Sequence, residues 1–245
     1  MPSTPRRPEQ TTADKIISIV PSVGPTTQAN RAFLGKAVSL LAEEGVRQFV
    51  DIGAGLPTQD NVHQVAQRVA ADARTAYIDN DPVVLVHARA LLEDSPGTKV
   101  LDGDLRRPKE LFADPALREH IDFDRPVAVL MLAVLHFIPD HDEVDAIVAT
   151  VRGALVPGSY LLLSHFYTPD DEQATVRAGA KVYSATNSGS LTARSLTRIN
   201  GYLAGLDLVA PGLVPVQAWR PDWEEDAVVD LSVPGLLGAV GRVPQ

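Results

Sequence analysis

Short apolar segments alternate with amphipathic, helix-forming segments along most of the chain. The clearest apolar segments are VAVLML in residues 127–132 and SYLLLSHF in residues 159–166. Strands that are apolar at nearly every position are typical of parallel sheets, which helices cover on both faces. Parallel strands also need long crossover connections, and the intervening helical segments supply them. The alternation therefore predicts an α/β fold made of βαβ units.

The order of the segments predicts a Rossmann-like, mostly parallel sheet of seven strands, with helices on both faces and an antiparallel strand pair at the C-terminal end. The predicted strands are residues 46–53, 73–79, 98–101, 126–132 and 159–166, the predicted helices are 29–44, 59–71, 83–92, 142–154 and 194–204, and the closing strand pair is expected within 205–219 and 233–243.

The chain is long enough for one large domain, since it has 245 residues, of which 45% are hydrophobic. We expect a flexible N-terminal tail in residues 1–12 and a single domain in residues 13–245. Residues 168–194 are polar and rich in Ser and Thr, which predicts a mobile segment beside the sheet.

Composition excludes several classes of function. With no cysteine, the chain has no disulfide framework and no thiolate chemistry, so we expect a cytoplasmic protein. A net charge of −9 disfavours nucleic acid as a partner. The apolar runs are shorter than the roughly 20 residues that span a bilayer, so no membrane partner is expected. For the oligomeric state, a homodimer is kept as an alternative to a monomer.

Glycine and aspartate follow the first three predicted strands, where open α/β sheets bind their ligands. Asp51, Gly53 and Gly55 follow the first strand in DIGAGLPT. Asp79 follows the second strand in YIDNDP, and Asp104 follows the third in DGDLRRP. Glycine lets the backbone approach a ligand, and an acid about 20 residues further on can accept hydrogen bonds from ribose hydroxyls. An aspartate in the place of Asp104 suits an adenine amino group.

The glycine pair alone admits either a dinucleotide or S-adenosylmethionine. A dinucleotide fingerprint needs a third glycine where its helix passes a pyrophosphate, and this chain has Pro57 and Thr58 there. S-adenosylmethionine has no phosphate and makes no such demand. The sequence therefore favours S-adenosylmethionine, while a nucleotide site and a fold adapted to another use remain as alternatives.

Other residues near the strand ends complete the predicted cofactor site. Asn30 and Arg31 are expected just ahead of the first helix, where an arginine fork can bind a methionine carboxylate. The structural alternative is an N-cap asparagine and a surface arginine. Asn80, Leu105 and Ala133 adjoin the ends of the second, third and fourth strands and are included as cofactor contacts.

His136 and His165 are the candidate catalytic residues, because they stand at the ends of the fourth and fifth predicted strands. Methyl transfer requires an acceptor held close to the methyl group and, for a hydroxyl, a base. An ordinary histidine pKa of about 6.5 suits that base, whereas packing at the sheet edge is the structural alternative. No metal site is expected: the acids and histidine of residues 140–143 are adjacent and diverge, and Asp142 is interpreted as a helix N-cap.

Several longer segments together resemble one known family. They are NRAFLGKAV, RQFVDIGAGLPT, VHQVAQ, YIDNDPVVLVHARALL, IDFDRPVAVLMLAVLHFIPD, PGSYLLLSHF and GLVPVQAWRPD. They look like the actinobacterial S-adenosylmethionine-dependent methyltransferases that were formerly a domain of unknown function. The resemblance covers about residues 13–222 and implies a class I sheet, S-adenosylmethionine binding and methyl transfer. A family-typical N-terminal tyrosine-aspartate segment and a tyrosine-glycine-glycine ending are missing.

We therefore expect a methyltransferase that acts on a small molecule, in secondary metabolism. One alternative is a methyltransferase-like fold that catalyses cyclisation, elimination or rearrangement, with the cofactor retained or lost. Another is a non-catalytic protein that binds S-adenosylmethionine.

Overall fold

The computed structural model describes residues 23–92, 94–169, 191–223 and 227–245. The predicted N-terminal tail and residues 170–190 of the predicted mobile segment lie outside this part of the chain. Within it, a central sheet lies between two layers of helices.

The strands of the described ranges are β1 Gln48–Ile52, β2 Arg74–Asp79, β3 Thr98–Asp102, β4 Ala128–Leu132, β5 Tyr160–Tyr167, β6 Asp207–Leu208, β7 Val214–Pro215 and β8 Gly235–Arg242. The α-helices are α1 Val23–Glu43, α2 Val62–Val69, α3 Pro82–Leu92, α4 Pro108–Ala113, α5 Pro115–His120, α6 His141–Gly153 and α7 Leu196–Tyr202, and 3₁₀ turns occupy Leu135–Phe137 and Val216–Ala218.

The strand order is β3-β2-β1-β4-β5-β8-β6, and β7 also pairs with β8. Strands β1 to β5 are parallel, whereas β8 is antiparallel to β5, β6 and β7. The predicted Rossmann-like, mostly parallel sheet is confirmed, but within the described ranges it has eight strands rather than seven. The antiparallel end of the sheet has three strands rather than the predicted pair. Strand β8 pairs with β5, and the short strands β6 and β7 both pair with β8. The order reverses between β1 and β4, which is where such sheets bind ligands.

The hydrophobic core has two halves, one on each face of the sheet. On β4, Ala128, Leu130 and Leu132 pack with helices α1, α2 and α3. Val129 and Met131 point the other way and pack with α4, α5, α6 and α7. All five residues are buried, as expected for a parallel strand with helices on both faces. Each large apolar side chain contributes about 1.5–3 kcal/mol by this burial, so a charged residue at Leu130 would break the layer.

Two local predictions near the N-terminal helix were wrong. Helix α1 begins at Val23 rather than at residue 29, so Asn30 and Arg31 lie inside the helix. Asn30 is therefore not an N-cap. Pro25 conceals this start in the sequence, but a proline in the first turn removes an N–H group that has no intrahelical acceptor there.

The prediction of Asp142 as an N-cap was also wrong. Asp140 caps α6, and its side chain accepts a hydrogen bond from the Glu143 backbone N–H at 2.9 Å. Asp142 lies inside the first turn, where a carboxylate favours the positive end of the helix dipole. Helices α4 and α5 were not predicted, because six residues are too few to show a helical period.

No helix in the described ranges has both the length and the apolar character that a bilayer crossing requires.

Candidate active site

The loop after β1 is bonded to the end of β2. The Gly53 N–H donates to the Ile78 carbonyl at 2.8 Å, and the Gly55 N–H donates to Asp79 Oδ2 at 2.9 Å. Both glycines have left-handed backbone angles, with φ of 74° and 65°. This conformation favours glycine and brings the loop across the end of the sheet.

The two glycines have different surroundings. A Cβ atom at Gly53 would come within 2.9 Å of Val134 Cβ and closer still to Val134 Cγ2. A Cβ atom at Gly55 would meet nothing within 4 Å. Gly53 is therefore required for packing against the loop after β4, whereas Gly55 leaves open space beside its backbone.

Asp79 joins the end of β2 to the glycine loop and to the start of α3. It stands at the end of β2, half-buried, with Oδ2 bonded to Gly55 and Oδ1 accepting from the Asp81 N–H at 2.9 Å. Each carboxylate oxygen has a further lone pair, so both can still accept from a ligand hydroxyl. Asn80 is exposed beside it. The ribose role of Asp79 stays a prediction with suitable geometry.

Asp104 is held by its neighbour Arg106. Its Oδ1 accepts from the Arg106 backbone N–H at 2.9 Å, and its Oδ2 accepts from Arg106 Nη2 at 2.8 Å. This side-chain hydrogen bond lowers the pKa of Asp104, so the carboxylate stays ionised. A cavity of about 350 Å³ adjoins Asp104 and Gly103. Leu105, the other predicted contact after β3, is buried.

Asp51 is a buried carboxylate on β1. Burial raises its pKa to about 7; nearby Arg31 lowers it, and Asp79 raises it further. No hydrogen bond to this carboxylate is found within the described part of the chain. Asp51 can therefore gain a proton or accept a cationic ligand group close to neutral pH.

Asn30 has a polar atom that lacks a protein partner. Its Oδ1 is buried and accepts no hydrogen bond from the residues that the structure describes. Leaving such an acceptor unpaired costs about 1–3 kcal/mol, which a ligand N–H can recover. Arg31 follows Asn30 on α1 and interacts electrostatically with Asp51. These three residues fit the charged methionine end of S-adenosylmethionine, which carries an ammonium and a carboxylate.

The backbone turns sharply after β4 at Ala133. This residue has φ of 54°, although it is not glycine. Its N–H donates to Ser164 Oγ at 2.9 Å and lies 3.1 Å from the Ser164 carbonyl oxygen. A left-handed alanine costs roughly 1–2 kcal/mol, so β5 holds the turn in place. The turn carries Val134 against Gly53 and leads directly to His136.

His136 is buried and has an unpaired ring nitrogen. The residue is 1% exposed, and Nδ1 has no hydrogen-bond partner among the described residues. Its ring centroid lies 4.6 Å from that of Phe137 and 4.8 Å from that of Phe166. Burial lowers the pKa of His136 well below its ordinary value, so the ring is neutral at pH 7. His136 therefore offers a neutral nitrogen among aromatic rings.

His165 received the same prediction but has a different environment. Its Nδ1 lies 2.6 Å from the Phe166 carbonyl oxygen, and its Nε2 lies 2.9 Å from Arg194 Nη1. Because a carbonyl only accepts and a guanidinium only donates, Nδ1 carries the proton. Burial lowers the pKa of His165 to about 3. With both nitrogens bonded, this geometry favours the structural alternative for His165.

Sequence reasoning missed Arg194 and Ser164. Arg194 is almost fully buried and bonds to His165, and Ser164 holds the turn at Ala133. Neither residue belongs to a local motif. Only the apolar context of Ser164 within SYLLLSHF marks it as a buried hydroxyl that needs a partner.

The chain is similar to known methyltransferases. A family model described as S-adenosyl methyltransferase matches residues 7–244. A protein from Thermobifida fusca, described as a candidate methyltransferase, is 36% identical, with a TM-score of 0.85 over 96% of this chain and 87% of that one. A DUF574-family protein from Streptomyces avermitilis is also 36% identical, with a TM-score of 0.83 over 95% of this chain and 89% of that one.

More distant structures show the shared fold. The N-methyltransferase NodS from Bradyrhizobium japonicum, solved with S-adenosyl-L-homocysteine, is 16% identical, with a TM-score of 0.52 over 91% of this chain and 87% of that one. A comparison with curated proteins gives no match.

The two glycines provide a matched pair of substitutions. We expect Gly53→Ala to lower the free energy of unfolding by about 3 kcal/mol, because it adds a clash with Val134 to backbone strain. Gly55→Ala should cost only about 1 kcal/mol, from backbone strain, while its methyl group weakens binding of S-adenosylhomocysteine. Urea denaturation and calorimetric titration measure the two effects.

The double variant Gly53→Ala/Val134→Ala is the control for the clash. Its loss of stability should be smaller than the sum of the losses in the two single variants, since Val134→Ala removes Cγ2, the atom nearest to the added Cβ. Equal losses of stability at Gly53 and Gly55 would contradict the packing argument.

Proposed function

The chain belongs to the S-adenosyl methyltransferase family, and on that premise we propose that it methylates a small molecule of secondary metabolism. Its cofactor is S-adenosylmethionine. The observation that carries the proposed acceptor site is the buried, unpaired Nδ1 of His136, on the loop that packs against the glycine turn.

When bound, S-adenosylmethionine supplies an electrophilic methyl group on a sulfonium. The proposed contacts divide into three groups: Asn30, Arg31 and Asp51 for the methionine end, Gly53, Gly55, Asp79 and Ala133 for the ribose and the central part, and Asn80, Asp104 and Leu105 for the adenine. The unpaired Asn30 oxygen, the raised pKa of Asp51 and the open side of Gly55 support this arrangement.

His136 is the proposed base. Its neutral ring can accept the proton that a hydroxyl acceptor loses, and general-base assistance of this kind contributes about 10²- to 10⁴-fold in rate. Phe137 and Phe166 flank the ring and can orient an apolar acceptor while they limit access of water. His165 is proposed to support this loop rather than to contact the acceptor.

The remaining assignments of the protein are also proposals. We place it in the cytoplasm as a single domain of residues 13–245, and the absence of cysteine supports the location. The net charge of −9 supports a small-molecule partner over nucleic acid. Neither the family model nor the two similar structures supports the alternative of a cyclisation or rearrangement enzyme.

We expect Asp79→Ala to weaken binding of S-adenosylhomocysteine by about 2–3 kcal/mol, the effect of losing a charge-assisted contact to two hydroxyls. Calorimetric titration of the folded variant measures the loss. Asp72→Ala is the matched control, because Asp72 is exposed beyond the opposite end of β2. An unchanged affinity in folded Asp79→Ala would remove Asp79 from the site.

Cofactor affinity should rise between pH 5.5 and 7.5. The raised pKa of Asp51, about 7, means that its carboxyl is largely protonated below neutral pH. A cationic ligand ammonium favours the ionised form, so binding should release a proton and become up to about tenfold tighter per pH unit below the pKa. The charged groups that face Asp51 are Arg31 and Asp79, and Tyr77 also interacts electrostatically with it.

Titration calorimetry in two buffers of different ionisation enthalpy counts the released protons. Asp51→Asn should bind more weakly at pH 7.5 and should lose the proton release that the wild-type protein shows at pH 6. If the wild-type and Asp51→Asn proteins release equal numbers of protons, the assignment of Asp51 is wrong.

The reaction class is tested with His136→Ala. A panel of small-molecule hydroxyl compounds is screened for release of S-adenosylhomocysteine, with the product mass measured in parallel. With an accepted substrate, His136→Ala should lower turnover by about 10²- to 10⁴-fold while its affinity for S-adenosylhomocysteine is nearly unchanged. His87→Ala is the control, because His87 is exposed on α3.

Two results would count against these assignments. A product of the same mass as its substrate, with no S-adenosylhomocysteine released, would overturn methyl transfer as the reaction. Stoichiometric release with full activity in His136→Ala would keep methyl transfer and reject the proposed base.

A further inference from the structure

Arg194 is a buried arginine whose five N–H donors all have acceptors. The residue is 1% exposed. The acceptors lie on two histidines and on three backbone carbonyls of the loop between β4 and α6. They are His141 Nδ1 at 3.1 Å, His165 Nε2 at 2.9 Å, and the carbonyl oxygens of Leu135 at 3.3 Å, Ile138 at 2.7 Å and Asp140 at 3.3 Å.

This arginine has an unusual charge environment. Among the salt bridges of the described residues, none involves Arg194. A buried charge without hydrogen bonds is strongly disfavoured, so the carbonyl dipoles must supply the compensation. The planar guanidinium donates in several fixed directions at once, which a lysine ammonium on a flexible stem does not reproduce.

The backbone around Arg194 reinforces the same loop. We call residues 191–195 the return segment, because Arg194 forms a backbone bridge to Tyr167 at the end of β5. The Thr192 N–H donates to the His136 carbonyl at 2.7 Å. The Arg194 N–H donates to the Phe166 carbonyl at 3.1 Å, and the Arg194 carbonyl accepts from the Thr168 N–H at 3.2 Å. The return segment thus joins the His136 loop to the end of β5.

We propose that Arg194 is a positioning residue, whose guanidinium holds the His136 loop against β5 and keeps His165 in the Nδ1–H tautomer. The assignment of the loop to the acceptor site rests on the proposed function. The hydrogen-bond network itself does not depend on it. Arg194 contacts neither ring nitrogen of His136, so it acts on that residue through the loop backbone.

The positive charge of Arg194 lowers the pKa of His136 and of His165, as burial does. Burial is the main cause of the lowered pKa of both histidines, and the Arg194 charge lowers both further. His136 faces His165 and Arg194, and His165 faces Arg194 and His141. The neutral forms of both rings are therefore favoured by the same residue that fixes the loop.

The test uses the full chain with ¹⁵N-labelled histidine. Arg194→Lys keeps the charge but loses the fork, and Arg194→Met loses both. Arg198→Met is the matched control, because Arg198 also donates to the start of α6, through the His141 carbonyl at 3.3 Å and Asp145 at 2.8 Å. The readouts are the ring-nitrogen resonances of His136 and His165 over a pH titration, hydrogen exchange of the Thr192 amide, and affinity for S-adenosylhomocysteine.

We expect the wild-type protein to show the Nδ1–H tautomer of His165. Both Arg194 variants should shift the His165 Nε2 resonance and speed exchange of the Thr192 amide at least about tenfold by local opening. Arg194→Met should also raise the titration midpoints of the two histidines relative to Arg194→Lys. Affinity for S-adenosylhomocysteine should stay within about twofold, because the carbonyls that Arg194 binds follow Ala133 in the loop, whereas Ser164 holds the Ala133 turn separately. Arg198→Met should leave every readout unchanged.

If Arg194→Met does not fold, Arg194→Lys and His165→Phe carry the test, since the second removes the Nε2 acceptor and keeps a planar ring. Unchanged histidine resonances and unchanged Thr192 exchange in folded Arg194→Lys would overturn the proposal. Once an acceptor is found, Arg194→Lys should lower kcat with KM for S-adenosylmethionine unchanged. Failure of the wild-type protein to transfer a methyl group would contradict the proposed function instead, because the spectroscopic results need no acceptor.

Discussion

The close approach of Gly53 to Val134 is the contact on which the rest of the site depends. It joins the loop after β1 to the loop after β4 at the point where the strand order reverses. Each loop is also tied to a strand beyond it, the first through the Ile78 carbonyl on β2 and the second through Ser164 on β5. Four neighbouring strands therefore share one rigid edge, and a shift in any one of them would move both the cofactor contacts and His136.

The parts of this arrangement that are local in sequence could be predicted from it. The parallel strands are apolar throughout, and Asp79 follows its strand in a recognisable spacing from the glycine turn. Arg194 could not be predicted, because its acceptors lie on the loop after β4 and on β5, far away in the chain. The two histidines show the same limit: His136 follows β4 and His165 lies within β5, yet of the two only His136 keeps a nitrogen that is unpaired among the described residues. Their difference arises from tertiary neighbours.

Burial determines the protonation states at this edge of the sheet. It raises the pKa of Asp51 and lowers those of His136 and His165, so all three groups are pushed toward their neutral forms. Arg194 keeps its charge because five acceptors surround it. The consequence is that a cationic cofactor group can ionise Asp51 and that a neutral His136 can accept a proton.

The cofactor and acceptor halves of the site depend on different kinds of interaction. At β1 and β2, the site consists of backbone turns and of the Asp79 carboxylate, which accepts hydrogen bonds from backbone N–H groups. These positions tolerate few substitutions. At β4 and β5, two aromatic side chains are exposed or half-buried: Phe137 lies on the loop that the buried network holds, and Phe166 lies on β5. Because backbone bonds fix the loop, those side chains can change without disturbing the glycine turn. Acceptor specificity can therefore vary at the aromatic positions while cofactor binding is retained.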